Sequence, residues 1–89
     1  MSKELKNDYF QIIAETRSLS LAAKEVGISQ PAMSAYLKKL EKQLGVTLFD
    51  RTVLPMKLTR EGKAYLDYVN GVSELFDEFQ NTLKKSKEE

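Results

Sequence analysis

Residues 18–45 read SLSLAAKEVGISQPAMSAYLKKLEKQLG, and the fold follows from them. Ser20 is the expected N-cap of a short helix over about 20–27, LAAKEV, with Gly27 as its stop. At barely two turns that helix must be held by packing rather than by propensity. Ser29 is the expected cap of the next helix, over about 29–44. Pro31 falls in its first turn, where a missing N–H costs nothing. Met33, Leu37, Leu40 and Leu44 then recur at i, i+4, i+7 and i+11, a single apolar stripe for the core. The opposite face carries Pro31, Ala35, Lys38 and Lys42, flanked by Ser34 and Lys39. Two helices joined by Gly27–Ile28–Ser29 have the form of a helix-turn-helix. Small residues early on the exposed face suit entry into a DNA major groove, and lysines further along suit flanking phosphates. An ordinary helical hairpin with a solvated lysine face is the competing reading.

Working outward, Leu5, Tyr9, Ile12, Ile13 and Thr16 repeat at helical spacing and predict a first helix over about 5–16. After Gly45 the period shortens. Val46, Leu48 and Phe49 form an apolar piece, Asp50–Pro55 reads as a loop, and Met56–Lys57–Leu58 alternates as a strand. A two-stranded hairpin over about 46–58 is predicted, a wing in this position. Arg51 and Lys57 flank its apolar tip of Val53, Leu54 and Pro55.

Thr59 is placed to cap a last, long helix over 60–89 with a frayed end from Lys84. Tyr65, Tyr68, Val72, Leu75 (or Phe76), Phe79 and Leu83 recur at three- and four-residue steps. Folding back on the first helix would absorb Ala64, Tyr65 and Tyr68, but it leaves Val72 to Leu83 without a covering partner. A seam with two phenylalanines predicts pairing of two such helices in a homodimer.

Composition narrows the function classes. The chain has 89 residues, 42% hydrophobic and 30% charged, enough for one small domain. No cysteine or histidine is present, so disulfides, thiolate sites and the usual zinc and general-base chemistry are excluded. Neither a metal nor a cofactor is expected, and an enzyme reading has no support. Without an 18-residue apolar run or a signal-peptide core, a soluble intracellular protein is the expectation. The net charge of +1 is unevenly spread. Residues 1–29 are neutral, residues 30–63 carry seven basic against three acidic side chains, and residues 64–89 carry three against six. A basic middle between a neutral start and an acidic tail suggests a localised polyanion site.

The run Ser18 to Gly62 resembles the N-terminal DNA-binding domain of the LysR-type transcriptional regulators. The likeness lies in Ala22–Ala23, Ser29–Gln30–Pro31–Ala32–Met33–Ser34, Leu40–Glu41 with Leu44–Gly45, Leu48–Phe49–Asp50–Arg51, and Leu58–Thr59 with Gly62. Phe10, twenty residues ahead of Gln30, matches that family's aromatic in the first helix. The resemblance implies a mainly α winged helix-turn-helix over 1–59 and a linker helix through which two subunits pair antiparallel. It also implies that Gln30 reads base edges, with Pro31 and Ala35 beside it, and that Ser29 and Ser34 bond phosphates. Lys38, Lys39 and Lys42 extend the phosphate contacts, and Arg51 and Lys57 serve the wing. The family often carries arginine where this chain has Ala35, and further basic residues where it has Val53 and Leu54.

The implied partners are double-stranded DNA with a pseudo-palindromic operator and a second copy of the chain, in the bacterial cytoplasm. Longer members add a two-lobed, periplasmic-binding-protein-like effector domain and are commonly tetrameric. This chain is expected to be the operator-reading piece of such a regulator. Two alternatives remain open at this point: a winged-helix regulator of the molybdate-responsive type, and a helical dimerisation module with only nonspecific DNA affinity.

Overall fold

The computed structural model describes residues 9–88, so the expected start of the first helix at Leu5 lies outside the described residues. The elements run α1 (Tyr9–Thr16), α2 (Leu19–Val26), α3 (Gln30–Leu44), β1 (Phe49–Asp50), β2 (Lys57–Leu58) and α4 (Arg60–Glu88). The two strands pair antiparallel, Phe49 opposite Leu58 and Asp50 opposite Lys57. The architecture is mainly helical with one short hairpin, as the sequence predicts.

Helices α1, α2 and α3 enclose a core of Phe10, Ile12, Ile13, Ala22, Ala23, Met33 and Leu37, closed by Leu48, Phe49 and Met56 from the wing. Ala22 and Ala23 are almost fully buried, and their small side chains let α2 lie close against its neighbours. Phe10 is fully buried. It stacks tilted on Phe49 at 5.4 Å and meets Tyr65 of α4 edge-on at 4.9 Å, which links three elements through one ring.

The helix ends are set by local chemistry. Ser18, not Ser20, caps α2. Its backbone is extended and its Oγ accepts the Leu21 N–H at 3.1 Å. Ser20 instead lies within the first turn, so the cap sits two residues earlier than the apolar pattern suggests. Ser29 caps α3 by accepting the Ala32 N–H at 3.2 Å. Gly27 and Gly45 end α2 and α3 in the left-handed conformation, in which glycine meets no Cβ penalty.

One further expectation is corrected. Leu44 does not belong to the core stripe: it is 45% exposed, whereas Met33 and Leu37 are sealed and Leu40 is half-buried. The last turn of α3 overhangs the three-helix core, and the chain turns away at Gly45. Helix α4 runs to Glu88. Lys85 and Lys87 in its last turn complement the partial negative charge of the exposed carbonyls.

The start of α4 is fixed from both sides. The Thr59 N–H donates to the Leu48 carbonyl at 3.0 Å and its hydroxyl to the Thr47 carbonyl at 2.6 Å. Thr59 Oγ1 in turn accepts the Gly62 N–H at 2.9 Å. Gly62 is buried against the 47–48 backbone, so closely that a Cβ there would lie 2.1 Å from the Leu48 carbonyl oxygen. Only glycine permits that approach.

Candidate nucleic-acid interface

Burial of Met33 and Leu37 fixes the rotation of α3, and the opposite face follows from that. Gln30, Pro31, Ala32, Ala35, Lys38, Lys39 and Lys42 are all exposed. Ser34 is half-buried at the edge of this face. Tyr36 turns towards the core, where it meets Tyr9 edge-on at 5.3 Å. The result is a helix with small and amide side chains at its N-terminal end and three ammonium groups beyond. A protruding helix of this kind suits a groove floor near its tip and phosphates along its length.

The wing is positioned by a side chain that sequence reasoning left without a role. Glu41 is only 13% exposed, and its Oε2 accepts the N–H groups of Leu48 at 2.7 Å and Phe49 at 3.3 Å. Its Oε1 receives Arg51 Nη2 at 3.3 Å. One carboxylate therefore ties the wing's first strand to α3 and holds the wing arginine beside it. The available clue was a lone acid among the basic residues of 38–42. Its partners, seven to ten positions further on, could not be read from that.

Arg51 is thus constrained rather than free, with 36% of its side chain exposed. Lys57 stands opposite Asp50 in the hairpin. The Asp50 carboxyl is held below the usual aspartate range, first by the Thr52 hydroxyl at 2.5 Å, then by the Thr52 N–H at 2.9 Å, with a smaller contribution from the Lys57 charge. Part of the Lys57 charge is therefore offset within the wing itself. Beyond it the tip is apolar, with Leu54 88% exposed.

Between the turn before α2, the tip of α3 and the wing lies an open cavity of about 620 Å³. Gln30 and Arg51 line it together with Arg17, a residue the sequence reading passed over. Arg17 adopts a left-handed backbone, with φ 57°.

The second surface is α4. Tyr65, expected at a subunit interface, is largely engaged by Phe10 and packs on the domain's own core. Val69, absent from the expected stripe, is buried, and Gln11 Nε2 donates to Asn70 Oδ1 at 2.8 Å. Contact with α1 thus reaches about as far as Asn70. Past that point Val72, Leu75, Phe79 and Leu83 are exposed, as is Tyr68 before it, while Phe76 is half-buried.

A helix-turn-helix with a wing, a cationic recognition face and a long projecting helix defines the class: a winged-helix nucleic-acid reader. Comparison with known proteins narrows this. The model of the bacterial regulatory helix-turn-helix proteins of the lysR family matches residues 7–63. YbhD of Escherichia coli K12, an uncharacterized HTH-type transcriptional regulator, is 42% identical over 69 residues, 78% of this chain and 22% of YbhD. The HTH-type transcriptional regulator BsdA of Bacillus subtilis 168 is 38% identical over 82 residues, 91% of this chain and 28% of BsdA. The chain spans about a quarter of the length of these curated relatives.

Among solved structures, the BenM DBD in complex with catB site 1 DNA superposes with a TM-score of 0.81 at 30% identity. That match covers 90% of this chain and 86% of the other. The CbnR DBD–DNA complex gives 0.78 at 29% identity, covering 92% and 94%. The chain belongs to the lysR family of bacterial regulatory helix-turn-helix proteins, and its described part is that family's DNA-binding regulator module.

Proposed function

We propose that the chain reads a specific duplex sequence as a homodimer, with no bond-making chemistry of its own. The observation that carries this reading is the exposed face of α3, with Gln30, Pro31 and Ala35 at its tip and Lys38, Lys39 and Lys42 behind. An amide such as Gln30 matches the donor–acceptor edge of adenine in the major groove, and Pro31 and Ala35 offer apolar contact to a thymine methyl. The Ser29 hydroxyl uses a lone pair to cap α3, which leaves its proton to donate to a phosphate, and Ser34 lies on the same side. Arg51 and Lys57 carry the wing towards the adjacent minor groove, where DNA shape adds to specificity.

Pairing of two α4 helices through Tyr68, Val72, Leu75, Phe76, Phe79 and Leu83, with Tyr65 in a lesser part, would set two recognition helices about a two-fold axis. A pseudo-palindromic operator follows from that symmetry. The proposed setting is the bacterial cytoplasm. Among the described residues no helix is long and apolar enough to cross a membrane. Tetramers and effector sensing would belong to further domains of the kind that lengthen the relatives.

The test selects a preferred site from a random duplex library and titrates it against random DNA. Gln30→Ala is expected to weaken the selected site by about tenfold to a hundredfold, the discrimination one good bidentate contact supplies, while random DNA is unaffected. Lys38→Ala should weaken both alike. A preference ratio unchanged by Gln30→Ala would overturn the assignment of base reading to Gln30. Selection that yields no preferred site would favour the dimerisation module with nonspecific affinity.

A further inference from the structure

We propose that Arg17 is a phosphate anchor for the single DNA strand that runs between the major-groove helix and the wing. The proposal rests on the duplex reading above and extends it to a residue outside the recognition helix and the wing. Its first support is conformational. Arg17 ends α1 in the left-handed region, its N–H bonded to the Ile13 carbonyl at 2.7 Å. Side chains other than glycine, asparagine and aspartate rarely occupy that region. The Arg17 carbonyl accepts the Met56 N–H at 3.2 Å, so the residue is pinned between the turn and the base of the wing. A long cationic side chain is thus presented from a rigid and conformationally unfavourable position.

The second support is placement. Arg17 lines the cavity of about 620 Å³ together with Ser20, Gln30, Arg51 and Leu54. Gln30 marks the side that faces the major groove, and Arg51 and Leu54 mark the wing. Successive grooves of a duplex are separated by one sugar–phosphate strand, and that strand must pass over whatever lies between the two contact points. Here that is an open trough with a guanidinium from the α1–α2 turn and another from the wing. The first turn of α2 lies on the same wall, its N–H groups and dipole favouring an anion. Among the described residues no carboxylate forms an ion pair with Arg17, unlike Arg51, which Glu41 partly neutralises. A guanidinium bonds two phosphate oxygens at once, so it positions the strand as well as attracting it.

The experiment uses the 89-residue chain with Arg17→Gly and, as a second variant, Arg17→Asn. Both residues accept a left-handed backbone, so the fold is retained and the thermal midpoint stays level or rises. The expected result is an affinity loss of about threefold to tenfold for selected and random duplexes alike. The preference ratio should be unchanged, and the slope of log K against log salt should be shallower by about one. Arg17→Lys should restore most of the slope. Affinity within twofold of wild type and an unaltered slope in both variants would overturn the anchor while leaving the duplex reading in place. A wild-type chain that binds no duplex would overturn both.

Discussion

The two halves of α4 carry similar apolar patterns and meet opposite fates. Over residues 60–70, Gly62 is pressed to the Leu48 carbonyl, Tyr65 meets Phe10, and Val69 is buried. Over residues 71–88, Leu75 is 66% and Phe79 57% exposed. Both halves lie on one unbroken helix of 29 residues. The first half is structural because the three-helix core lies beneath it. The second is an uncovered seam because that core ends near Asn70. An apolar stripe therefore states that a helix has a face to bury, and the neighbouring elements state what it is buried against.

Disrupting each half separately is the sharpest test of this difference. Phe10→Ala removes the ring that joins the core to the docked half and should cost about 3–5 kcal/mol of stability, read by denaturant unfolding. In a domain of this size that is a large share of the total. Leu75→Glu with Phe79→Glu should leave the fold's circular dichroism and core packing intact while shifting the chain from dimer to monomer in sedimentation. Loss of folding in the double variant would mean that the outer seam is structural after all.

Gly62→Ala separates propensity from packing within the docked half. Alanine in an exposed helix position gains about 1 kcal/mol over glycine, yet here its Cβ meets backbone at Leu48. The expected outcome is a net loss of about 1–3 kcal/mol, as for other overpacked sites. An increase in thermal midpoint would show that the 47–48 segment yields easily.

The smallest effect concerns the wing on which the docked half rests. The Asp50 carboxyl titrates below its unfolded value because Thr52 bonds the ionised form. Its contribution is thus present above the ordinary aspartate pKa of about 4 and is lost as pH falls through the lowered folded value. Asp50→Asn should be slightly less stable than wild type at neutral pH, and the two melting curves should converge on acidification. A gap that widens with acidity would reverse the assignment.

Much of the candidate interface was legible because it depends on one helix. Spacing alone placed Met33 and Leu37 inward and Pro31, Ala35, Lys38 and Lys42 outward, the family resemblance pointed to Gln30, and Ser29 and Gly45 bracketed α3 through contacts within four residues. The errors and omissions share a different character. The apolar pattern points to a cap at Ser20 because it does not reveal backbone dihedrals, and the extended backbone that makes Ser18 the cap belongs to the folded chain. Leu44 continued a valid stripe past the point where anything lay beneath it. Arg17 and Val69 carried no local signal, and Glu41 showed only as a lone acid whose partners lie seven to ten positions further on.

The sequence by itself determined the helices, most of their caps, the exposed face of α3 and the unequal charge along the chain. Each of these depends on residues a turn or two apart. Only the tertiary structure decided that Glu41 organises the wing, that Arg17 shares a trough with Gln30 and Arg51, and that α4 changes role near Asn70. Those contacts join segments separate in the chain, and they exist only once the core has fixed where each element ends.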